Sequence, residues 1–327
     1  MATQEDQLLR QILSQSLSPD APTRQNAERS LLAAQSSPGH ALAILRIVSA
    51  SSGDGGDLPV RQAAAVHFKN MVKGGWAPAE DDGEQQQQPG GMRYTVPESD
   101  RQMIKDNLVS LMCTVPPQLQ SQCSESIALI AASDFPAKWE NLLPDLIAKF
   151  TDPNCDVLNG VLLTANSILK RFRYVQRSDA LYSDILYVLQ RLQEPLTQLF
   201  ASITLQLDNN TAPLATNAAE LTSRLSALRS INRIFYSLNY QDLPEYFEDH
   251  MGDWMEGFAK LLQYTNPILV DEDEEMQPGM CVFELRVILC RRLPLATMNH
   301  FSLLSFNDCI GISQGLLTTS KFRWSKT

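Results

Sequence analysis

Residues 158–172 read LNGVLLTANSILKRF, and six of their apolar members are Leu158, Val161, Leu162, Ala165, Leu169 and Phe172. Intervals of three and four residues put these side chains on one stripe of an α-helix, whereas a strand would place apolar residues at alternate positions. The same spacing recurs on both sides. Leu142, Leu143, Leu146, Ile147 and Phe150 form one stripe, and Leu221, Leu225, Leu228, Phe235 and Leu238 form another. Period-two alternation is nearly absent from residues 4 to 264, so the fold is expected to be all-helical.

Turn signals cut this material into short pieces. Ser18-Pro19-Asp20, Ser37-Pro38-Gly39, residues 53–59, Val115-Pro116-Pro117, residues 133–136 and Asp152-Pro153 each combine helix-breaking and capping residues. The helices that remain are expected near 4–17, 22–36, 39–51, 59–74, 97–114, 117–132, 137–150, 153–175, 178–207, 217–239 and 243–264. Short consecutive helices joined by tight turns pair as antiparallel hairpins, and hairpins repeating every 35–45 residues or so build an array in which each pair buries its stripe against its neighbours. About five and a half pairs are expected, as a helical-repeat array with an irregular C-terminal tail. Residues 77–96, with their Gln85 to Gln88 run and Pro89-Gly90-Gly91, read as a polar loop between helices.

Composition excludes several functions. The chain of 327 residues carries 27 basic and 37 acidic residues, a formal charge of −10. A nucleic-acid grip needs a basic surplus, so no nucleic-acid partner is expected. No run approaches the roughly 18 apolar residues of a membrane span, and the first ten residues contain Glu5 and Asp6 without a secretory apolar core, so neither membrane insertion nor secretion is expected. In a reducing compartment the six cysteines, none in a CxxC pair, are expected to remain thiols. No phosphate-binding GxxxxGK[ST], no GxGxxG and no HExxH occurs; His40, His67, His250 and His300 are far apart, and Cys281 and Cys290 are too widely spaced for a zinc knuckle. No catalytic residue, cofactor or metal is assigned, and the chain is not expected to be an enzyme. Asp271-Glu272-Asp273-Glu274-Glu275 lacks the alternating ligands of a calcium loop and reads as a solvated acidic linker, with contact to a basic protein patch as the alternative.

The helix at 59–74 is more telling. Val60, Ala64, Ala65, Phe68, Met71 and Val72 share one arc, while Gln62, Lys69, Asn70 and Lys73 cluster on the other side. A basic polar stripe on an acidic chain is either a solvated face or a partner-binding face. Trp76, Phe135 and Trp139 read as packing anchors at the corners between helices.

Ala65-Val66-His67-Phe68-Lys69-Asn70-Met71-Val72-Lys73 followed by Trp76 resembles the importin N-terminal signature of the karyopherin-β family. Asp134-Phe135-Pro136 with Trp139, residues 158–162 leading to Lys170-Arg171-Phe172-Arg173-Tyr174, and the run from Phe235 through Asn239-Tyr240-Gln241-Asp242 to Asp249 narrow the resemblance to the importin-α re-exporters, the CAS-type or exportin-2 family. It covers residues 1 to about 275. The resemblance implies a HEAT solenoid whose first repeats bind the GTP form of the small GTPase Ran, with importin-α as cargo, contacts to nuclear pore proteins, and passage between nucleus and cytoplasm. Its Ran contact would fall on Gln62, Lys69, Asn70 and Lys73. If the first helix of each pair is the outer one, the helices at 22–36, 59–74, 117–132, 153–175 and 217–239 line the inner face. The implied organisation is a Ran-binding importin N-terminal region at 1–114, further HEAT repeats of exportin-2 type at 115–270, and the acidic linker at 271–279. Residues 280–327 carry +4 against −14 for residues 1–279. They are expected to be a non-homologous, aberrant or disordered tail, a divergent cap being the alternative.

Overall fold

A computed structural model describes residues 4–50, 58–77, 94–207, 217–264 and 266. Among them are twelve α-helices and one 3-10 helix, and no strand. The chain divides into two compact units, Met1–Ile168 and Leu169–Thr327.

The first unit holds α1 (Gln4–Ser16), α2 (Ala21–Ala34), α3 (His40–Ser49), α4 (Leu58–Gly75), α5 (Glu98–Thr114), α6 (Pro117–Asp134), α7 (Leu142–Ile147) and nearly all of α8 (Cys155–Leu169). Helices α1 and α2, α3 and α4, and α5 and α6 pack as hairpins, and successive hairpins stack α1 on α3 on α5 on α7 and α4 on α6. The turn chemistry explains the starts. Asp20 Oδ2 accepts from the Thr23 amide at 3.0 Å, capping α2, and Pro117 opens α6 where its missing N–H costs nothing. Leu13, Ile44, Ala64, Phe68, Met71, Ile104, Leu108, Met112, Leu119 and Ile127 fill the interior.

Between α6 and α8 the packing is polar as well as apolar. Ser124 and Thr164 hydroxyls meet at 2.7 Å, Gln120 Nε2 donates to the Asp156 carbonyl at 3.1 Å, and a side chain at Gly160 would collide with the Gln120 amide at 2.3 Å. Gly160 is therefore a close-approach position.

The second unit begins with a 3-10 turn, η1 (Lys170–Arg173), followed by α9 (Asp179–Gln206), α10 (Ala218–Leu238), α11 (Glu245–Asp249) and α12 (Met251–Gln263). Ser178 caps α9 through the Leu181 amide and Asn217 caps α10 through the Ala219 amide. Helices α9 and α10 pair, and α12 packs on α9. An aromatic cluster forms the core: Trp254 stacks on Phe200 and on Phe235, each at 4.2 Å between ring centroids, and Phe247 and Phe258 meet the group edge-on. Trp254 Nε1 donates to Thr197 Oγ1 at 3.2 Å, so the indole is satisfied at both ends.

The architecture is all-α with HEAT-type pairing, as expected, and three helices differ from their predicted spans. The expected helix at 137–150 shrinks to the short α7, because the chain first runs through turns in which the Lys138 amide donates to the Asp134 carbonyl at 2.7 Å and the Trp139 amide to the Pro136 carbonyl at 3.2 Å. The helix expected at 153–175 ends at Leu169 and tightens into η1. The helix expected at 243–264 breaks at His250, whose Nδ1 sits 2.8 Å from the Tyr246 carbonyl while its ring stacks on Tyr246. In the last described helix Trp254 and Phe258 pack on Phe200 of α9 and Phe235 of α10, and Met255 and Leu261 are buried as well. No further helix is needed to cover Trp254. Residues 78–93 of the loop expected at 77–96, the acidic linker at 271–279 and the tail at 280–327 lie outside the described residues.

Candidate partner-binding face

Gln62, Lys69, Asn70 and Lys73 all stand on α4, at spacings that align them along one side of the helix. The opposite side is the core stripe, with Ala64, Ala65, Phe68, Met71 and Val72 buried and Val60 partly so. Gln62, Asn70 and Lys73 are exposed. Lys69 is not a free cation: its side chain lies largely covered, with Nζ 3.4 Å from Glu125 Oε2 on α6. The face therefore runs from α4 onto α6 and offers one matched pair beside one unmatched ammonium. Such a half-exposed pair contributes at most about 1 kcal/mol to stability. Its larger effect is to orient Lys69 along the seam between the two helices. Glu125 carries no signal in the sequence, since nothing in its neighbourhood links it to a lysine 56 positions earlier.

The base of the face is fixed at both ends of α4. At its start Arg61 is buried and donates from Nε and Nη2 to the Val48 carbonyl at 3.1 and 2.9 Å, capping the end of α3. At its end the Tyr94 hydroxyl donates to the Met71 and Asn70 carbonyls at 2.9 and 3.1 Å. The Tyr94 ring lies flat enough on the helix end that a Cβ at Gly75 would come within 2.5 Å of it and one at Gly74 within 2.6 Å of its hydroxyl. Gly74-Gly75 thus makes room for a capping tyrosine from beyond the loop.

Trp76 follows directly. It is buried, the guanidinium of Arg101 sits 5.0 Å from its ring centroid, and Arg101 Nε in turn donates to the Val96 carbonyl at 3.2 Å. Phe135 and Trp139 are buried at a different corner, between α6 and α7. There the Lys105 ammonium of α5 reaches Asp134 Oδ2 at 3.3 Å and the Lys138 carbonyl at 2.8 Å, a buried ion pair that sequence reading did not single out. Trp76, Phe135 and Trp139 do not share the exposed face with Gln62, Asn70 and Lys73.

Behind α4 lies a second unpredicted contact. The His67 ring meets His40 edge to face at 5.8 Å, both Nε2 atoms are buried without a hydrogen-bond partner, and Asp100 Oδ2 accepts from the Gly39 amide at 2.8 Å at the start of the His40 helix. Burial, reinforced by His40, holds the His67 imidazole down to about 4, and burial also lowers His40 while Asp100 pulls it back up. The Cys123 thiol is pushed up to about 12 by burial, the wrong direction for a nucleophile. Among the described residues no group of three His, Cys, Asp or Glu side chains is placed to hold a metal ion, and no helix is long and apolar enough to cross a membrane.

The importin-β N-terminal domain model matches residues 27–114, the segment that holds α4, and the Cse1 model matches residues 168–298. Exportin-2 of Pagrus major is 38% identical over 269 residues, and exportin-2 of Homo sapiens is 37% identical over the same length. The chain belongs to the exportin-2 (Cse1) family of karyopherins. These alignments cover 82% of this chain and 26% of each relative, so it spans about a quarter of the length of the curated relatives it matches. The exportin Cse1 in its cargo-free, cytoplasmic state superimposes with a TM-score of 0.78 at 30% identity, over 97% of this chain and 32% of that one. A crystal structure of importin β gives 0.52 at 17% identity over 97% of this chain and 39% of that one, a likeness of fold alone. The match of the Cse1 model runs to residue 298 and so overlaps the start of the tail placed at 280.

Proposed function

We propose that this chain is the Ran-binding portion of an exportin, recognising the GTP form of Ran through its first three hairpins. The observation that carries the reading is the exposed Gln62, Asn70 and Lys73 row on α4, with Lys69 held beside it by Glu125, inside the segment matched by the importin-β N-terminal domain. The acidic remainder of the chain makes Lys73 a local exception, and local charge steers association more than it adds affinity. Within this reading the domains run 1–114 for Ran, 115–270 for further repeats and 271–279 for the linker. The cargo is importin-α, the protein moves between nucleus and cytoplasm, and nuclear pore proteins are transient partners. No step requires a cofactor, and the protein acts as a transport receptor rather than an enzyme.

A second reading is a helical-repeat scaffold without transport activity. It is favoured by the pairing of Lys69 with Glu125, which leaves Lys73 as the one ammonium of this row without a carboxylate among the described residues.

Binding of the purified chain to Ran loaded with GTP or GDP separates the two. Selective binding of the GTP form, weaker than that of a full-length receptor, supports the first. Replacing Lys69 and Lys73 together by Glu should abolish it with the helical circular dichroism intact, since neither side chain belongs to the core. Equal binding of both nucleotide forms would sink the proposal.

A further inference from the structure

The second unit presents a surface that the proposed Ran contact does not use. The 3-10 turn η1 delivers Lys170, Arg171 and Arg173 within four residues, and the chain after it passes Tyr174, Val175 and Arg177 before α9 begins. The turn following α10 is laced against this segment. Gln241 Nε2 donates to the Phe172 carbonyl at 2.8 Å, Arg177 donates from Nε to Gln241 Oε1 at 3.1 Å and from Nη2 to the Gln241 carbonyl at 2.5 Å, and the Tyr182 hydroxyl donates to Asp242 at 2.8 Å. Two connections are thereby fastened into one platform, and the side chains that rise from it stand on a fixed base.

Those side chains are unusual for a solvated surface. Tyr174 is 79% exposed and Tyr240 47%, and Val175, Tyr182 and Leu243 are exposed beside them. Arg173 lies 5.6 Å from the ring centroids of both Tyr174 and Tyr236, its buried Nε has no hydrogen-bond partner, and Tyr236 meets Tyr240 edge to face at 5.5 Å. Tyrosine and arginine on a rigid support are the residue types that dominate binding energy at protein interfaces, whereas surfaces that stay in water rarely cluster large apolar groups.

The charge balance names the partner. Arg171 is matched by Asp184 at 3.0 Å and Arg177 by Asp242 at 3.7 Å, while Lys170 and Arg173 face no carboxylate among the described residues. Two unmatched cations remain on a chain whose formal charge is −10. We propose that this platform docks an extended acidic segment of a partner protein, carboxylates meeting Lys170 and Arg173 and an apolar side chain lying on Tyr174 and Tyr240. A nucleic acid fits less well, because two free cations neutralise few phosphates, an acidic chain repels a polyanion, and Val175 and Leu243 offer apolar surface that phosphates do not use. The inference stands apart from Ran binding, which involves the other unit.

The test uses the full chain and a fluorescein-labelled peptide of about a dozen residues in which Asp and Glu surround a pair of Phe, read by fluorescence anisotropy. Saturable binding that weakens as salt rises is expected. Tyr174→Ala and Lys170→Glu should each weaken it about tenfold or more with unchanged circular dichroism, and Lys73→Glu should leave it unaffected. A peptide with Asn and Gln in place of the acids should not bind. Three results overturn the proposal: binding insensitive to Tyr174→Ala and Lys170→Glu, preference for an oligouridine of equal charge, or peptide binding that appears only after Asp271 to Glu275 are neutralised. The last would assign the platform to the chain's own acidic run.

Discussion

At the level of single residues, the buried ion pair Lys105–Asp134 and the histidine contact behind α4 set the most specific expectations. Lys105 has three donors and uses them on Asp134 and on the Lys138 carbonyl, with Ser133 completing the Asp134 carboxylate. Removing one partner strands the other charge. Lys105→Ala or Asp134→Ala alone should therefore cost about 3–5 kcal/mol, while apolar replacement of both at similar volume should recover much of it. Urea denaturation of the three variants checks this, and a double variant that loses the sum of the two single losses would show the pair to be uncoupled.

His67 makes stability pH-dependent with a definite sign. Its folded value of about 4 lies below the 6.5 of an unfolded histidine, so between those values the unfolded chain binds more protons and stability falls as pH drops. The full shift corresponds to about 3 kcal/mol lost by pH 4, with His40 adding in the same direction and Asp100 opposing it at His40. His67→Gln should flatten the decline between pH 6.5 and 4 relative to the parent chain, measured as urea midpoints at several pH values. An unaltered slope would remove His67 as its source.

At the level of elements, the periodic stripes were readable and the corners were not. The α4 stripe, with Ala64, Ala65, Phe68, Met71 and Val72, emerges buried as its spacing requires, because a helix has one face to hide and the sequence marks it. The break of the 243–264 helix at His250 and the shrinking of 137–150 to α7 were invisible, since each depends on where a neighbouring backbone lies. The same holds for the candidate face. Gln62, Asn70 and Lys73 can be picked from a helical projection, whereas Glu125 and Tyr94 come from other helices or from across a loop and obey no local spacing. Trp76, Phe135 and Trp139 are buried at the ends of elements, and we expect each to act in packing. Truncation of any of them to Ala should cost about 3–5 kcal/mol and lower the melting temperature clearly without changing the nucleotide preference for Ran. Unchanged stability with lost partner binding would reverse that assignment.

At the level of the whole molecule, composition excluded more than it assigned, and membership of the exportin-2 family rested on stretches spread along the chain, from the α4 signature to the run ending at Asp249. The tail carries the remaining prediction. Trp254 is already stacked between Phe200 and Phe235, so the tail is not expected to be what buries that indole. Limited proteolysis followed by mass measurement should cut early near the acidic linker and leave a helical core. Protection through Thr327 would make the tail a genuine cap, and the overlap of the Cse1 match with residues 280–298 makes the position of the first cut informative.

The pinch at the end of α4 has a consequence for how this protein can be altered. Val96 donates its amide to the Gly75 carbonyl at 2.9 Å, Tyr94 is anchored to the Met71 and Asn70 carbonyls, and Arg101 reaches back over Trp76. The chain thus departs from and returns to one spot, with both stems clamped by contacts that owe nothing to what lies between them. Closing a longer excursion from such a collar costs little, since the entropy penalty grows only with the logarithm of its length. The collar formed by Gly75, Trp76, Tyr94, Val96 and Arg101 is in effect a socket: foreign sequence, a fluorophore tag or an affinity peptide spliced between its two stems should leave the register of α4 against α6 the same.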